Sequence, residues 1–195
     1  MTIREAKTIA DFEQVAKVRY SVNLRELGKT YLSQDDAKRD EQSVVLLAEN
    51  QFGIVGTVRC LFLQYCEEIK IEWGLSMPIT RSKIGLVDRL AILPDFRHSR
   101  VTYGLVTQIY RQALLEGTYL SLLECEGHLL GFYEHLGFKV YRELERSYGK
   151  RFQLYINPRD ETHLISVKSP FVKEYRKFEE ELNQFISLQN TSNSA

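Results

Sequence analysis

Two stretches of the chain bring reactive side chains to places where a backbone can present them. The first runs from Leu86 to Gly117. An apolar run, LVDRLAIL (86–93), leads into PDFRHSRVT (94–102), and a helical pattern begins near Val101. The first turn of a helix carries unpaired N–H groups and partial positive charge, so it receives anions. Arg97, His98 and Arg100 add to that charge, and residues 81–100 hold five basic and two acidic side chains, a local excess of +3. A solvated loop accounts for the same residues without a ligand. Within the run, Asp88 is a carboxylate suited to accept a proton or to pair with Arg89 or Arg59. The second stretch is FYEHLGFKV (132–140): an aromatic pair, a short helix, Gly137 for a reversal, then a strand. Tyr133 is amphipathic and either turns its hydroxyl into a cleft or satisfies it in the core.

The elements that must hold these stretches follow from periodicity and punctuation. Residues 3–6 read as a short strand. Residues 10–27 carry Phe12, Val15, Ala16, Val18 and Leu24 near helical spacing, with Asp11 as N-cap and Gly28 as stop. The acidic segment 33–41 is a short helix or a loop. Strands at 43–49 and 54–63 flank the turn NQFG, a hairpin. Residues 65–85 read as an irregular crossover, and 86–93 as a strand stopped by Pro94. A helix follows from about 102 to 116, with Leu105, Ile109, Ala113 and Leu114 on one face and Gly117 at its end. Then come a strand at 119–125, a short helix at 128–135 and a strand pair at 138–143 and 151–156. Phe171, Tyr175, Phe178, Leu182 and Phe185 form one apolar stripe over 171–186, a helix expected to pack on the sheet, with a dimer or carrier-protein contact as the alternative. The order predicts an α/β fold with a mixed sheet. We expect one domain over 1–160, a helical extension over 161–188 and a frayed tail at 189–195.

Composition removes several function classes. At 195 residues the chain makes about one domain at roughly 150 residues each, large enough to bury a core without disulfides. Its 26 basic and 26 acidic side chains cancel, which argues against binding nucleic acid through phosphates. The three cysteines match no zinc spacing, and the four histidines include no pair four residues apart, so no metal is expected. No apolar run suits a signal peptide, and none reaches the roughly 18 residues of a membrane span. Free thiols without an export signal point to the cytoplasm.

The pair DRLAILPDFRHSR…GLV and FYEHLGF, with IREA near the start and GIVGTVR in the hairpin, resembles the GNAT acyltransferase superfamily over roughly residues 2–157. That resemblance implies a mixed, mostly antiparallel sheet in which two parallel central strands, LVDRLAIL and YLSLLEC, splay apart. An acyl thioester would lie in the gap, with its pantetheine arm on the backbones of Leu90, Ala91, Ile92 and Leu93. Fixed N–H donors there would steady an oxyanion. Tyr133 matches the position whose hydroxyl protonates the departing thiolate. Typical members hold the coenzyme A pyrophosphate with R/Q-x-x-G-x-G/A. Here the stretch is Arg97, His98, Ser99, Arg100, Val101, Thr102, with Arg100 and Thr102 where the glycines would be. A donor carried on acyl carrier protein needs no pyrophosphate cradle, and a basic mouth suits an acidic carrier. VRYSVNLRELG (18–28), Asp35, Asp36 and Asp40, Arg59 and VDRLAI further resemble the long-chain N-acyl amino acid synthases and, more distantly, the acyl-homoserine-lactone synthases. The lactone synthases have a Glu where Asp88 stands and a Trp near the acidic run that has no counterpart here.

The resemblance implies transfer of an acyl group, long-chain in the first reading, from acyl carrier protein or acyl-CoA to the amine of an amino acid or similar small molecule. An amine must lose a proton before it attacks a thioester, and Asp88 is the candidate base, directly or through a water. Arg59 or Arg19 would pair with a substrate carboxylate. Asp36 or Asp40 would hold the ammonium, and Arg89 completes the substrate set. Residues 75–79 with Ile84 and Leu86 wall either an acyl tunnel or ordinary core. Two other readings stand beside this one. One is an acetyl-CoA-dependent N-acetyltransferase of a small amine or protein. The other is a non-catalytic GNAT-like ligand-binding protein, which would require Tyr133 to face the core and no gap to open.

Overall fold

The computed structural model describes residues 1–28, 35–78, 82–97 and 99–192. Strand β1 (Thr2–Glu5) is followed by helix α1 (Ile9–Arg19). A capping box starts that helix: Thr8 Oγ1 accepts from the Asp11 N–H, and the Asp11 carboxylate accepts from the Thr8 N–H. Asp11 therefore stands three residues inside the helix, and Thr8 takes the N-cap position expected of it. The expected helix over 10–27 is not one helix. After Arg19 the backbone widens into a π-helical turn, Tyr20–Glu26. Such turns mark functional sites more often than ordinary helix does. The acidic run forms α2 (Asp35–Glu41).

Strands β2 (Val44–Asn50) and β3 (Gly53–Gln64) make the expected hairpin. Side chains on β2 alternate between the two faces of the sheet. Val45 and Leu47 pack under α1, whereas Leu46 and Ala48 pack under helix α4 (Arg100–Leu115). The crossover holds a short helix, α3 (Glu67–Trp73), closed by Gly74. Strand β4 (Lys83–Ile92) starts three residues earlier than the sequence suggests, because Lys83, Ile84 and Gly85 already pair with β3. Strand β5 (Thr118–Cys125), helix α5 (Leu130–Leu136) and strands β6 (Lys139–Arg146) and β7 (Gly149–Ile156) complete the domain.

The seven strands form one sheet in the order β1-β2-β3-β4-β5-β7-β6, antiparallel except for β4 and β5. Those two run parallel and pair only from Lys83 with Thr118 to Leu86 with Leu122. Beyond that point β5 stays with β7 as far as Cys125, and β4 stays with β3 as far as Ile92. The sheet therefore opens in a wedge between its two central strands. Leu75, Met77, Ile84 and Leu86 gather with Tyr65 and Leu122 at the closed end, as core. They do not line the gap, and Ile79 lies outside the described residues.

Helices α6 (Glu161–Ser166) and α7 (Phe171–Ser192) follow. Phe171 stacks on Tyr110 of α4 with ring centroids 4.1 Å apart, and Arg111 pairs with Glu181. The first half of the apolar stripe packs on α4 and joins one core cluster with Leu123, Leu154 and Ile156 of the sheet: Phe171 and Phe178 are buried, while Leu182 and Phe185 are exposed. The helical backbone runs on to Ser192, past residue 189 where a frayed tail is expected.

Candidate active site

Where β4 leaves β5 it also bulges. Asp88 pairs with Arg59 and Ala91 with Thr57, so Arg89 and Leu90 together stand opposite Val58. Arg89 sits at φ 54, in the left-handed region that a non-glycine residue enters at a cost. The bulge carries Asp88 and Leu90 to the wall of the wedge. Between them and Cys125, Glu126, Tyr133 and Arg151 lies a cavity of about 150 Å³.

Tyr133 is placed there by α5, a helix of two turns ended by Gly137 at φ 108, a conformation that spares a residue without Cβ. Aromatic rings fix it on both sides, Phe132 at 5.1 Å and Phe138 at 5.8 Å between centroids. Its hydroxyl makes no hydrogen bond to any described residue. Burial, and to a lesser degree Cys125, pushes the hydroxyl above its ordinary pKa, so it stays protonated. Tyr133 also lines a second, small pocket of about 30 Å³ in the core behind the gap, together with Val87 and Leu123.

Asp88 belongs to a network of three guanidiniums and three carboxylates. Both of its oxygens are gripped by Arg59, Nε and Nη2 each donating at 2.7 Å. The third nitrogen of Arg59 donates to Asp40 at 3.1 Å and lies 3.2 Å from Asp36. Arg89 Nε donates to both Asp36 oxygens at 3.0 Å, and Arg19 Nη1 donates to Asp40 at 2.6 Å. Burial works against the charge on Arg59. The Asp88 hydrogen bonds and the charges of Asp88, Asp40 and Asp36 outweigh it and hold the guanidinium above its ordinary pKa. Burial likewise opposes ionisation of Asp36, but Arg89, Arg59 and Arg19 outweigh it and hold the carboxyl below its usual range.

The network corrects part of the expected substrate set. Arg59 is 1% exposed and spends every nitrogen on the protein, so it offers no edge to a substrate carboxylate. Asp36 and Arg89 hold one another. Asp88 keeps its side chain 35% exposed at the rim, and Arg59 takes only two of the roughly four lone-pair sites of its carboxylate.

At the mouth of the wedge, Val101 and Leu105 bring α4 down on Gly56. A Cβ there would come within 3.1 Å of both side chains, which would have to give by a few tenths of an ångström. Ser99 caps that start by accepting from the Val101 N–H at 3.2 Å. Arg97 does not project outward: its Nε donates to the Ile92 carbonyl at 3.1 Å. The Leu93 N–H is spent on the Val55 carbonyl, inside the sheet, at 3.0 Å. The open edge is therefore offered by Leu90 and the Ile92 N–H; Ala91, which pairs with Thr57 in the same register, is turned to β3 like Leu93 and does not serve the expected backbone site. Arg100 is exposed, Thr102 is half-buried, and His98 lies outside the described residues. The basic excess over 81–100 is not gathered at the mouth. Lys83, nine residues before Ile92 and so about 30 Å along the strand, pairs with Glu116 at 2.8 Å. Arg89 pairs with Asp36, and Arg81 lies outside the described residues.

Sequence reasoning missed Cys125, Glu126 and Arg151. Cys125 reads as an incidental thiol, yet it faces the gap beside Tyr133, with burial pushing its pKa up to about 11. A thiol so high is not a nucleophile at neutral pH. Arg151 bridges Glu124 and Glu126 at the other wall, with Nη1 2.7 Å from Glu126. The available signal was two acids, 124 and 126, closing an apolar strand. Among the described residues, no group of three or more His, Cys, Asp or Glu side chains is arranged to hold a metal ion, and no helix is long and apolar enough to cross a membrane.

A parallel strand pair that parts midway, a bulge at the parting and a tyrosine from the next helix define an acyltransferase of the GNAT class. The acetyltransferase (GNAT) family profile matches residues 9–138, and the chain belongs to that family. No curated protein matches the sequence. Among solved structures, the chain is similar to FeeM, an N-acyl amino acid synthase from uncultured soil microbes, with a TM-score of 0.69 at 11% identity over 88% of this chain and 96% of that one. It is also similar to an aminoglycoside 6'-N-acetyltransferase complexed with coenzyme A (TM-score 0.60, 15% identity, 81% and 97% covered). A ribosomal-protein-alanine N-acetyltransferase from Brucella melitensis matches with a TM-score of 0.60 at 12% identity, over 80% and 99%. At these identities the likeness is one of fold.

Proposed function

We propose that the protein transfers an acyl group from a phosphopantetheine thioester to the amine of an amino acid or a similar small molecule. The observation that carries this is the open β4 edge beside a protonated Tyr133 whose hydroxyl meets no described hydrogen-bond partner. Ladder-like groups of Leu90 and the Ile92 N–H receive the amide-rich arm. The amine attacks the thioester carbonyl, forming the C–N bond, and N–H groups on that edge steady the oxyanion. The proton leaving nitrogen goes to Asp88, directly or through a water, by the lone pairs that Arg59 leaves. The C–S bond then breaks, and the Tyr133 hydroxyl protonates the departing sulfur. The donor is carried by acyl carrier protein in this reading. Arg100 and Thr102 stand where pyrophosphate-binding glycines would be, and Ser99 already takes the Val101 N–H.

A second reading, an acetyl-CoA-dependent N-acetyltransferase of a small amine or protein, has one observation in its favour. The gap cavity is about 150 Å³ and the pocket behind it only about 30 Å³, room for a short acyl group before any side chain moves. Mass spectrometry of lipids extracted from the purified protein, followed by thiol-release assays with acyl carrier protein and CoA thioesters of two to sixteen carbons, separates the two. A bound N-acyl amino acid and preference for the carrier-borne long chain support the first. Transfer from acetyl-CoA alone supports the second.

A further inference from the structure

Arg19 and Arg59 differ in one respect. Arg59 grips Asp88 side-on, through Nε and Nη2. Arg19 is 3% exposed and, among the described residues, spends only Nη1, on Asp40; its Nε and Nη2 are buried and meet no hydrogen-bond partner there. The same side-on edge that takes two carboxylate oxygens on Arg59 is thus unused on Arg19. A buried guanidinium with two unmatched donors is costly unless something completes it. Arg19 lines a groove of about 850 Å³ between α1, the π-helical turn and α2. The groove's walls include Ile9, Phe12, Ala16, Tyr20 and Ala37, and Ile9 and Tyr20 present their apolar surface to solvent.

We infer that this groove receives a carboxylate with an apolar body, the carboxylate lying on the Nε and Nη2 edge of Arg19. A planar two-oxygen anion fits that edge bidentately. The Arg19, Arg59, Arg89 and Asp36, Asp40, Asp88 network is already charge-balanced. A ligand of zero net charge disturbs it least, which favours a zwitterionic amino acid with an apolar side chain over a free fatty carboxylate. Naming that amino acid as the acceptor rests on the acyl-transfer reading; the binding itself does not.

The test is calorimetric titration of the protein with L-phenylalanine, L-phenylalaninamide and decanoate, for wild type, Arg19→Lys and Ala16→Trp. Lysine keeps a charge against Asp40 but lacks the side-on edge. Ala16 is exposed, so tryptophan there fills the groove without entering the core. The expected result is that phenylalanine binds about tenfold or more tighter than its amide. Arg19→Lys removes that difference and leaves the amide unchanged, and Ala16→Trp abolishes binding with the melting temperature held. Decanoate binding in place of phenylalanine, with the same dependence on Arg19, keeps the site and makes the ligand a free acyl carboxylate. Equal binding of phenylalanine and its amide, phenylalanine binding indifferent to Arg19→Lys, or no binding of either carboxylate overturns the inference. Binding without any thiol release would sink the acyl-transfer reading and leave this one standing.

Discussion

Strand β4 lives in two environments. As far as Leu86 it is zipped to β3 and β5, and Ile84 is wholly buried among Tyr65, Leu120 and Leu122. From Val87 onward it loses β5, bulges, takes a left-handed arginine and adds an ion network, through Asp88 and Arg89, to its apolar neighbours. The first half follows the ordinary rules of a buried strand, and the second breaks three of them within six residues. What separates the halves is hydrogen bonding: backbone groups spent on a ladder are closed to a ligand, and those on the open edge are not.

The largest expected effect falls in the open half. Arg59→Met leaves Asp88, Asp40 and Asp36 facing one another without their shared cation. It should cost about 3–5 kcal/mol in urea denaturation, the usual penalty for breaking a buried pair. A loss under about 1 kcal/mol would mean that the network is solvated and does not hold the bulge. In the zipped half, Ile84→Ala should cost about 2–5 kcal/mol through its cavity, while any protein that remains folded keeps its rate of thiol release. A selective loss of rate would show that the two halves are not independent.

Acid should separate them as well. The folded-state pKa of Asp36 is depressed, so its contribution is present above the ordinary value near 4 and is lost as pH falls through the lower folded value. Hydrogen exchange at pH 3–4 should quicken at Val87–Ile92 before it quickens at Lys83–Leu86. Asp36→Asn should remove that difference. The smallest effect is the sharpest in sign. At position 89, glycine relieves a left-handed residue and alanine does not, although both lose the pair with Asp36. Arg89→Gly should therefore be about 1 kcal/mol more stable than Arg89→Ala by thermal denaturation. Inside a regular strand the order is the reverse.

The same division explains what could be read from the sequence. The hairpin, the helix after Pro94, the reversal at Gly137 and the apolar strands were legible because period and punctuation are local. FYEHLGF sets Tyr133 four residues ahead of the reversal at Gly137, and the helix α5 keeps that spacing. The bulge was not legible, since nothing in VDRLAI distinguishes a straight strand from one with two residues facing one. Nor was the π-helical turn, because Tyr20–Glu26 continues the helical composition before it. Arg59 reads as a ligand for substrate because its type says so. Only the fold shows three carboxylates, drawn from two distant segments, closing around it. The +3 excess misled for a related reason: counting along the chain ignores the length of a strand.

The most direct test of the central claim is a single-turnover measurement of thiol release and N-acyl product, with a carrier-borne acyl thioester and an amino acid, for wild type and Tyr133→Phe. Because that hydroxyl meets no described partner, the variant should keep its melting temperature. We expect thiol and amide to form one for one in wild type and about 10²-fold more slowly in the variant, within the range for a general acid. Equal rates in the two proteins, or no thiol release from any thioester, would contradict the account.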